Sequence, residues 1–310
     1  MKILVTGGAG YKGSTLVPML LAKGHSVTVV DNFMYNQVSL LDCCYSDKLK
    51  IIRGDSRDKR LMSGLVKDCD FIIPLACLVG APLCDKDPVG ATSINRDAIT
   101  MLLELRSKSQ PIIFPMTNSG YGVGEDGVFC TETSPMKPVS LYGKLKVETE
   151  ERLIESGNVV SLRFATVFGP SPRMRLDLLV NDFVYRAVVD GFVIIFEGHF
   201  KRNFVHIRDA ARVYLHVMDN MDKMKDQSYN VGLSSANISK LDLCSEIRKQ
   251  IPKFVYLESK IGEDPDKRNY IVSNDKIEKI GFKAEVTLEQ GIRELINAYA
   301  VIRRNAHANI

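Results

Sequence analysis

No stretch of this chain approaches the roughly 20 consecutive apolar residues that a bilayer-spanning helix needs, so no membrane span is expected. The five histidines, His206 and His216 among them, show no HxxxH or HExxH pattern. The seven cysteines are scattered, and Cys43 and Cys44 are adjacent rather than at metal-ligand spacing, so no metal site is expected. The net charge of +4 is small for 310 residues. It argues against a dedicated nucleic-acid surface and suits a pocket for an anionic ligand. The first residues read directly as a strand, KILVT, with no signal-peptide core. With an odd number of cysteines, this makes reduced thiols and a cytoplasmic protein the expectation. Internal repeats and low-complexity linkers are also lacking. Hydrophobic residues at 45% and charged residues at 25% imply an ordinary globular core.

What is present is a strand–helix alternation. KILVT, SVTVVD, KIIRGD, CDFIIPLA, PIIFPM and VVSLRFA read as strands with helices between most of them. The fold class expected is α/β, a doubly wound parallel (Rossmann) sheet. Residues 1–168 would bind the dinucleotide, with 203–236 rejoining that unit. Residues 169–202 and 237–310 would form a smaller, discontinuous substrate lobe.

Two short runs carry the chemistry. VTGGAGYKGS, with Gly7, Gly8, Gly10 and Gly13, lies between the first strand and an amphipathic helix ending at Gly24. Glycines at such a turn let the backbone approach a pyrophosphate resting on the helix N-terminus. The second run is SLYGKLK, where Tyr142 and Lys146 stand one helical turn apart on one face. A phenol beside an ammonium is expected to have a lowered pKa and to exchange protons near neutrality. Dinucleotide plus tuned tyrosine indicates hydride transfer at an alcohol carbon.

The surrounding residues extend this reading. Asp31 stands 21 residues beyond Gly10, where an acid gripping the adenosine ribose is expected. It would repel a 2′-phosphate, and no Arg follows it in sequence to neutralise one, so NAD is favoured over NADP. Asn32 stands next to it. Asp55 and Ser56, after the third strand, suit the adenine edge, although Asp55 is equally a candidate helix cap.

The chain resembles the extended short-chain dehydrogenase/reductase family, in its branch of NAD-dependent sugar-nucleotide epimerases and dehydratases. The resemblance rests on TGGAGYKGS, VVDN, GDSRD, IIPLA, FPMTNSGYG, SLYGKLKVETE, LRFATVFGP, KRNFVHIRDAA, YNVG and KIEKIGFKAEVTLEQGI. It implies that Tyr142 is the acid/base at the substrate hydroxyl and that Lys146 holds the nicotinamide ribose. Thr117, four residues before Tyr121 in Gly120-Tyr121-Gly122, matches the family's catalytic Ser/Thr. The alternative for Thr117 is a strand-end hydroxyl bonded to local backbone. Leu75, Ala76 and Cys77 would line the cofactor, with Cys77 as a small packed residue rather than a nucleophile. Tyr11 and Lys12 belong to the glycine turn. Lys12 replaces a residue that is usually apolar, and its ammonium could reach toward phosphate. Asn95 matches a helix asparagine that braces the active-site backbone in relatives, or is a plain exposed residue. Arg202 and Arg268 are expected on the substrate diphosphate. Arg173, Arg175 and Asn181 are further substrate candidates, with a solvated surface role as the alternative for either arginine.

One departure bears on the reaction. Dehydratases of the family tend to carry acids after the position of Thr117, whereas Asn118 and Ser119 stand here. Dehydration is therefore disfavoured, and both residues become candidates for substrate contact. The expected activity is NAD(H)-dependent oxidation of a nucleotide-diphosphate sugar at C4, closest to a GDP-heptose 4-dehydrogenase branch. Alternatives are an epimerase passing through a transient C4 ketone, a keto-sugar reductase, and a non-catalytic NAD-binding regulator. Apolar residues on DAITMLLELRSKS (Ile99, Leu102, Leu103, Leu105) and on GKLKVETEERLIES (Leu145, Val147, Leu153, Ile154) exceed one sheet-facing stripe. The resemblance implies that these helices pair with symmetry mates in a homodimer.

Overall fold

The structure, a computed structural model, describes residues 1–262 and 268–302. The first half alternates strand and helix: β1 (Lys2–Thr6), α1 (Gly13–Ala22), β2 (Ser26–Asp31), β3 (Leu49–Arg53), α2 (Lys59–Lys67) and β4 (Phe71–Pro74). Two short helices, α3 (Ala81–Lys86) and α4 (Pro88–Thr92), lead through a π-helical turn at Ser93–Asp97 into α5 (Ala98–Leu105). Next come β5 (Ile112–Thr117), β6 (Phe129–Cys130), α6 (Leu141–Ser156), β7 (Val159–Phe164) and β8 (Thr166–Phe168). Beyond them lie α7 (Leu179–Val189), β9 (Phe192–Ile195), β10 (Lys201–His206), α8 (Ile207–Asp219), α9 (Met221–Met224) and β11 (Gln227–Val231). The chain continues through β12 (Asn237–Ser239), α10 (Lys240–Gln250), β13 (Val255–Glu258), β14 (Ile271–Val272), α11 (Asp275–Lys279) and α12 (Leu288–Val301).

Seven strands form one parallel sheet in the order β11-β7-β5-β4-β1-β2-β3. The direction of winding reverses between β1 and β4, the switch point at which ligands bind in such sheets. The central strands are buried on both faces, which is why they read as near-continuous Val/Ile/Leu runs. On one face Val5 and Val29 pack under Leu16, Val17 and Leu20 of α1 and Tyr214 and Val217 of α8. On the other, Leu4 and Val30 pack under Met62 and Val66 of α2, Ile99 and Leu102 of α5 and Leu153 of α6. Each such buried aliphatic side chain contributes roughly 1.5–3 kcal/mol over exposure.

The doubly wound sheet is as expected. The 203–236 segment divides in use. Within it α8 covers the sheet beside α1 and β11 joins its edge, whereas β10 pairs with β8 and β12 in a separate three-stranded sheet. A second core gathers Val180, Phe183 and Val184 of α7, Leu243 and Ile247 of α10, and Ile292, Leu295 and Tyr299 of α12. No helix among the described residues is long and apolar enough to cross a membrane. All seven cysteines are free thiols.

Candidate active site

The glycine run turns the chain from β1 into α1. Gly7 has φ +68°, and a Cβ there would lie 2.5 Å from the Ala76 amide nitrogen. Only glycine lets the exits of β1 and β4 approach so closely. The turn is pinned by Gly7 N–H to the Val30 carbonyl (2.8 Å) and Gly10 N–H to the Gly7 carbonyl (3.1 Å). No side chain caps α1 at Lys12, and while Ser14 N–H and Thr15 N–H already donate to the Gly10 and Lys12 carbonyls, the amides of Tyr11, Lys12 and Gly13 are left to take an anion. Tyr11 donates its hydroxyl to the Gly169 carbonyl (2.6 Å), tying this turn to the chain beyond β8.

Toward β2, Asp31 is buried and already accepts three donors: Ala9 N–H (3.0 Å), Phe33 N–H (2.8 Å) and the Gln37 amide (3.2 Å). Burial pushes its carboxyl pKa up, and the hydrogen bonds pull it back. Arg53 is its register neighbour on β3, with the guanidinium 4.5 Å from the Phe33 ring centroid. No arginine follows Asp31 in sequence; the adjacent strand supplies one. Asn32 is exposed and accepts Met34 N–H (3.1 Å). Asp55 does not cap α2; Asp58 does, accepting from Arg60 and Leu61. Both Asp55 oxygens instead receive the Arg57 side chain (2.9 and 2.5 Å), and Ser56 is buried beside them.

Across the switch point lies the Tyr142–Lys146 pair. Ser140 caps α6 by accepting Gly143 N–H (3.2 Å), which fixes where the helix starts and so which face carries the pair. A Cβ on Gly143 would meet Pro138 at 2.9 Å and the Ser119 carbonyl at 3.4 Å, so glycine brings the first turn of α6 against the end of β5. Lys146 is 3% exposed, donates to the Pro115 carbonyl (2.9 Å) and stands 4.5 Å from the Phe114 ring centroid. Tyr142 is half-buried, and among the described residues its hydroxyl has no hydrogen-bond partner. The expectation of a lowered phenol pKa is not met. Burial raises it well above its ordinary value, the Cys77 thiol adds to the rise, and Arg175 and Arg268 only partly oppose it. The Lys146 ammonium donates one hydrogen bond to a backbone carbonyl, and no hydrogen bond joins it to the phenol among the described residues.

At the end of β5 the Thr117 hydroxyl is used locally. It accepts Ser119 N–H (3.1 Å) and donates to Ser119 Oγ (3.0 Å), which Arg268 also reaches. Asn118 is 1% exposed, and neither polar atom of its amide has a partner among the described residues.

The remaining candidates separate. Leu75, Ala76 and Cys77 are half-buried at the exit of β4. Asn95, in the π-helical turn, is buried and grips Leu78 with both amide atoms: Oδ1 accepts Leu78 N–H and Nδ2 donates to its carbonyl, both at 2.9 Å. It braces the backbone beside Cys77. Arg173 is buried over the Tyr35 ring (4.4 Å), near α1 and within electrostatic reach of Asp31, toward the adenosine side rather than the Arg268 side. Arg175 is buried, not solvated, and pairs with Asp177. Arg202 is buried 5.6 Å from the Tyr270 ring centroid. Asn181 is fully buried, and its amide is consumed by Gly169 N–H (2.9 Å), the Arg175 carbonyl (2.8 Å) and Tyr11 (3.3 Å). It is corrected from a substrate ligand to an internal brace. Sequence reading missed Arg53 and Asp177. The acid two residues after Arg175 signalled the latter, and nothing local signalled the former.

Residues 3–232 match the model of the NAD dependent epimerase/dehydratase family. The chain is similar to UDP-glucose 4-epimerase of Streptococcus mutans, at 27% identity over 92% of each chain. It is also similar to UDP-glucuronic acid decarboxylase 1 of Arabidopsis thaliana, at 25% identity over 96% of this chain and 70% of the relative. Among solved structures it is similar to UDP-glucuronic acid 4-epimerase from Bacillus cereus in complex with UDP-glucuronic acid and NAD. That likeness has a TM-score of 0.84 and 25% identity, covering 97% of this chain and 99% of the other.

Proposed function

The chain belongs to the NAD dependent epimerase/dehydratase family, and from that premise we propose that it oxidises the C4 hydroxyl of a nucleotide-diphosphate sugar. The observation that carries the reading is the convergence of Tyr142, Lys146 and the Thr117–Ser119 turn beside a glycine cradle with an uncapped helix N-terminus. Bound NAD supplies a hydride acceptor at the sugar carbon and, once reduced, a donor.

The α1 amides would hold the cofactor diphosphate, Asp31 the adenosine ribose and Lys146 the nicotinamide ribose. Tyr142, protonated in the resting site because burial raises its pKa, takes the C4 hydroxyl proton only when nearby positive charge favours the phenolate. Lys146, Arg175 and Arg268 supply such charge on the protein side. The Thr117 and Ser119 hydroxyls orient the same substrate oxygen, and Arg202 and Arg268 favour an anionic diphosphate. Neither Asn118 nor Ser119 is an acid at neutral pH, which disfavours loss of water.

Return of the hydride to the opposite face, giving net epimerisation, is the second reading, and the similarity to 4-epimerases favours it. A 4-ketone would also set up loss of a C6 carboxylate, the chemistry that the name of the Arabidopsis relative implies. Incubation with candidate sugar nucleotides, followed by product mass and NADH absorbance, separates these outcomes. Loss of two hydrogens with NADH formed means a dehydrogenase, and unchanged mass with a new sugar means an epimerase. Loss of a water would defeat the reading from Asn118 and Ser119.

The homodimer through α5 and α6 belongs to the same proposal. Of the apolar residues on these helices, Ile99, Leu102 and Leu153 are buried within the chain, and Leu103, Leu105, Val147 and Ile154 pack against that core. Light scattering at micromolar concentration tests it, and a mass near 34.6 kDa would count against pairing. The free thiols support a reducing, cytoplasmic setting.

A further inference from the structure

Lys12 is the residue of the glycine turn with no place in the roles assigned so far. Its backbone belongs to the cradle, but its side chain runs away from the adenosine end. The ammonium nitrogen lies 3.6 Å from the Phe164 ring centroid, at the carboxyl end of β7. Because the sheet order is β7-β5-β4-β1-β2, a lysine rooted after β1 and ending over β7 reaches across the exits of β4 and β5. If Asp31 on β2 takes the adenosine half and the α1 amides take the diphosphate, the other half of the dinucleotide must lie along those same exits. Its neighbours mark the same place. The charged or titratable groups facing Lys12 are Lys146 from α6, Cys77 from the exit of β4 and Arg175 from the segment before α7. Among the described residues no carboxylate pairs with it.

We infer that Lys12 sets the balance between the two redox forms of the bound nicotinamide, its ammonium disfavouring the cationic oxidised ring and so favouring the neutral reduced one. The inference rests on the NAD reading above. A second cation beside Lys146 has no evident packing purpose, since an aliphatic side chain would cover Phe164 equally well. One nearby unit charge, screened as at a partly buried site, corresponds to about tenfold in the ratio of the two affinities. For a two-electron couple that is about 30 mV toward a stronger bound oxidant. Burial and Lys146 lower the Lys12 pKa to about 7, so the bias is present below that pH and fades above it.

The test is a comparison of dissociation constants for NAD⁺, by calorimetry, and NADH, by fluorescence, at pH values well below and well above 7. It uses the full chain and its Lys12→Met and Lys12→Arg variants. At the lower pH the ratio of the NAD⁺ constant to the NADH constant is expected to fall about tenfold in Lys12→Met. In the unmodified protein the ratio should fall as pH rises, and in Lys12→Arg it should stay high at both values. If Lys12→Met does not fold, the contrast at high pH between the lysine and arginine proteins carries the test. A role on the diphosphate alone would weaken both forms equally in Lys12→Met and leave the ratio unchanged, which overturns the inference. Binding of neither form by any of the proteins overturns the dinucleotide reading as well, so the two failures are distinct.

Discussion

The two ends of the binding edge differ in how far their polar groups are engaged. At the adenosine end the polar groups are already engaged: Asp31 takes three donors, Asp55 takes Arg57, and Arg173 lies over Tyr35. At the reacting end both atoms of the buried Asn118 amide have no hydrogen-bond partner among the described residues, and the Lys12 ammonium lies over the Phe164 ring. Binding groups can be satisfied beforehand because a ligand adds to them. At the reacting end the engagement is uneven: the Thr117 and Ser119 hydroxyls hold each other and Lys146 holds the Pro115 carbonyl, whereas the buried Asn118 amide is left unpaired at a cost of about 1–3 kcal/mol of folding free energy.

The strongest way to break this comparison is at Tyr142. Tyr142→Phe is expected to lower turnover about 10²–10⁴-fold while leaving NADH affinity and melting temperature near those of the parent. Unchanged turnover would remove Tyr142 as the acid/base. Next in size is the anchor behind it. Glu150, on the buried side of α6, accepts Ser161 Oγ (2.5 Å), Ser228 Oγ (2.9 Å) and the Arg163 guanidinium (2.8–3.1 Å). Glu150→Ala leaves Arg163 buried and uncompensated, and urea unfolding should show a loss of about 3–5 kcal/mol.

A region outside both ends provides a pH signature. His206 is fully buried, and burial lowers its pKa to about 4, with Glu294 at 3.2 Å from Nε2 pulling the other way. The folded pKa lies below the ordinary 6.5, so the unfolded chain takes the proton first as pH falls. The contribution is therefore whole above about 6.5 and is lost progressively toward about 4, reaching about 3 kcal/mol. Urea midpoints across that window should flatten in His206→Gln; an equally steep decline in the variant would assign the effect elsewhere.

Smaller effects sharpen the contrast. Asp31→Ala should narrow the preference for NADH over NADPH by about tenfold, because Arg53 remains beside the vacated position. A preference that survives the change would detach Asp31 from the ribose. Smallest in stability is Asn118→Ala, which removes a buried amide without partners. Its unfolding free energy should stay within about 1 kcal/mol of the parent, or rise, while kcat/KM drops. A marked loss of stability would mean that the amide is satisfied in solution.

Much of the site was legible where chemistry is local. The glycine run, the acid at the end of β2 and the four-residue Tyr142–Lys146 spacing each depend on backbone geometry within one element or turn, and each stands where the pattern put it. Side chains whose partners are distant in sequence were not legible. Asn181 read as a substrate contact, yet it holds Gly169 from inside; Asn95 grips the Leu78 backbone, the bracing role the family resemblance implied. Arg173 lies over Tyr35, a neighbour 138 residues away that its own segment does not announce. Such outcomes follow from which loops meet above the sheet.

The sequence by itself determined the parallel α/β sheet, the cradle at the end of β1 and the helix face bearing Tyr142 and Lys146. Periodicity, glycine content and helix capping act over a few residues and need no distant partner. Only the tertiary structure decided the electrostatics: the raised Tyr142 pKa, the arginine delivered to Asp31 by β3, and the lysine carried from β1 to Phe164 on β7. The physical reason is that desolvation and charge–charge interactions depend on distance through space and on burial, and strand order in the sheet sets both.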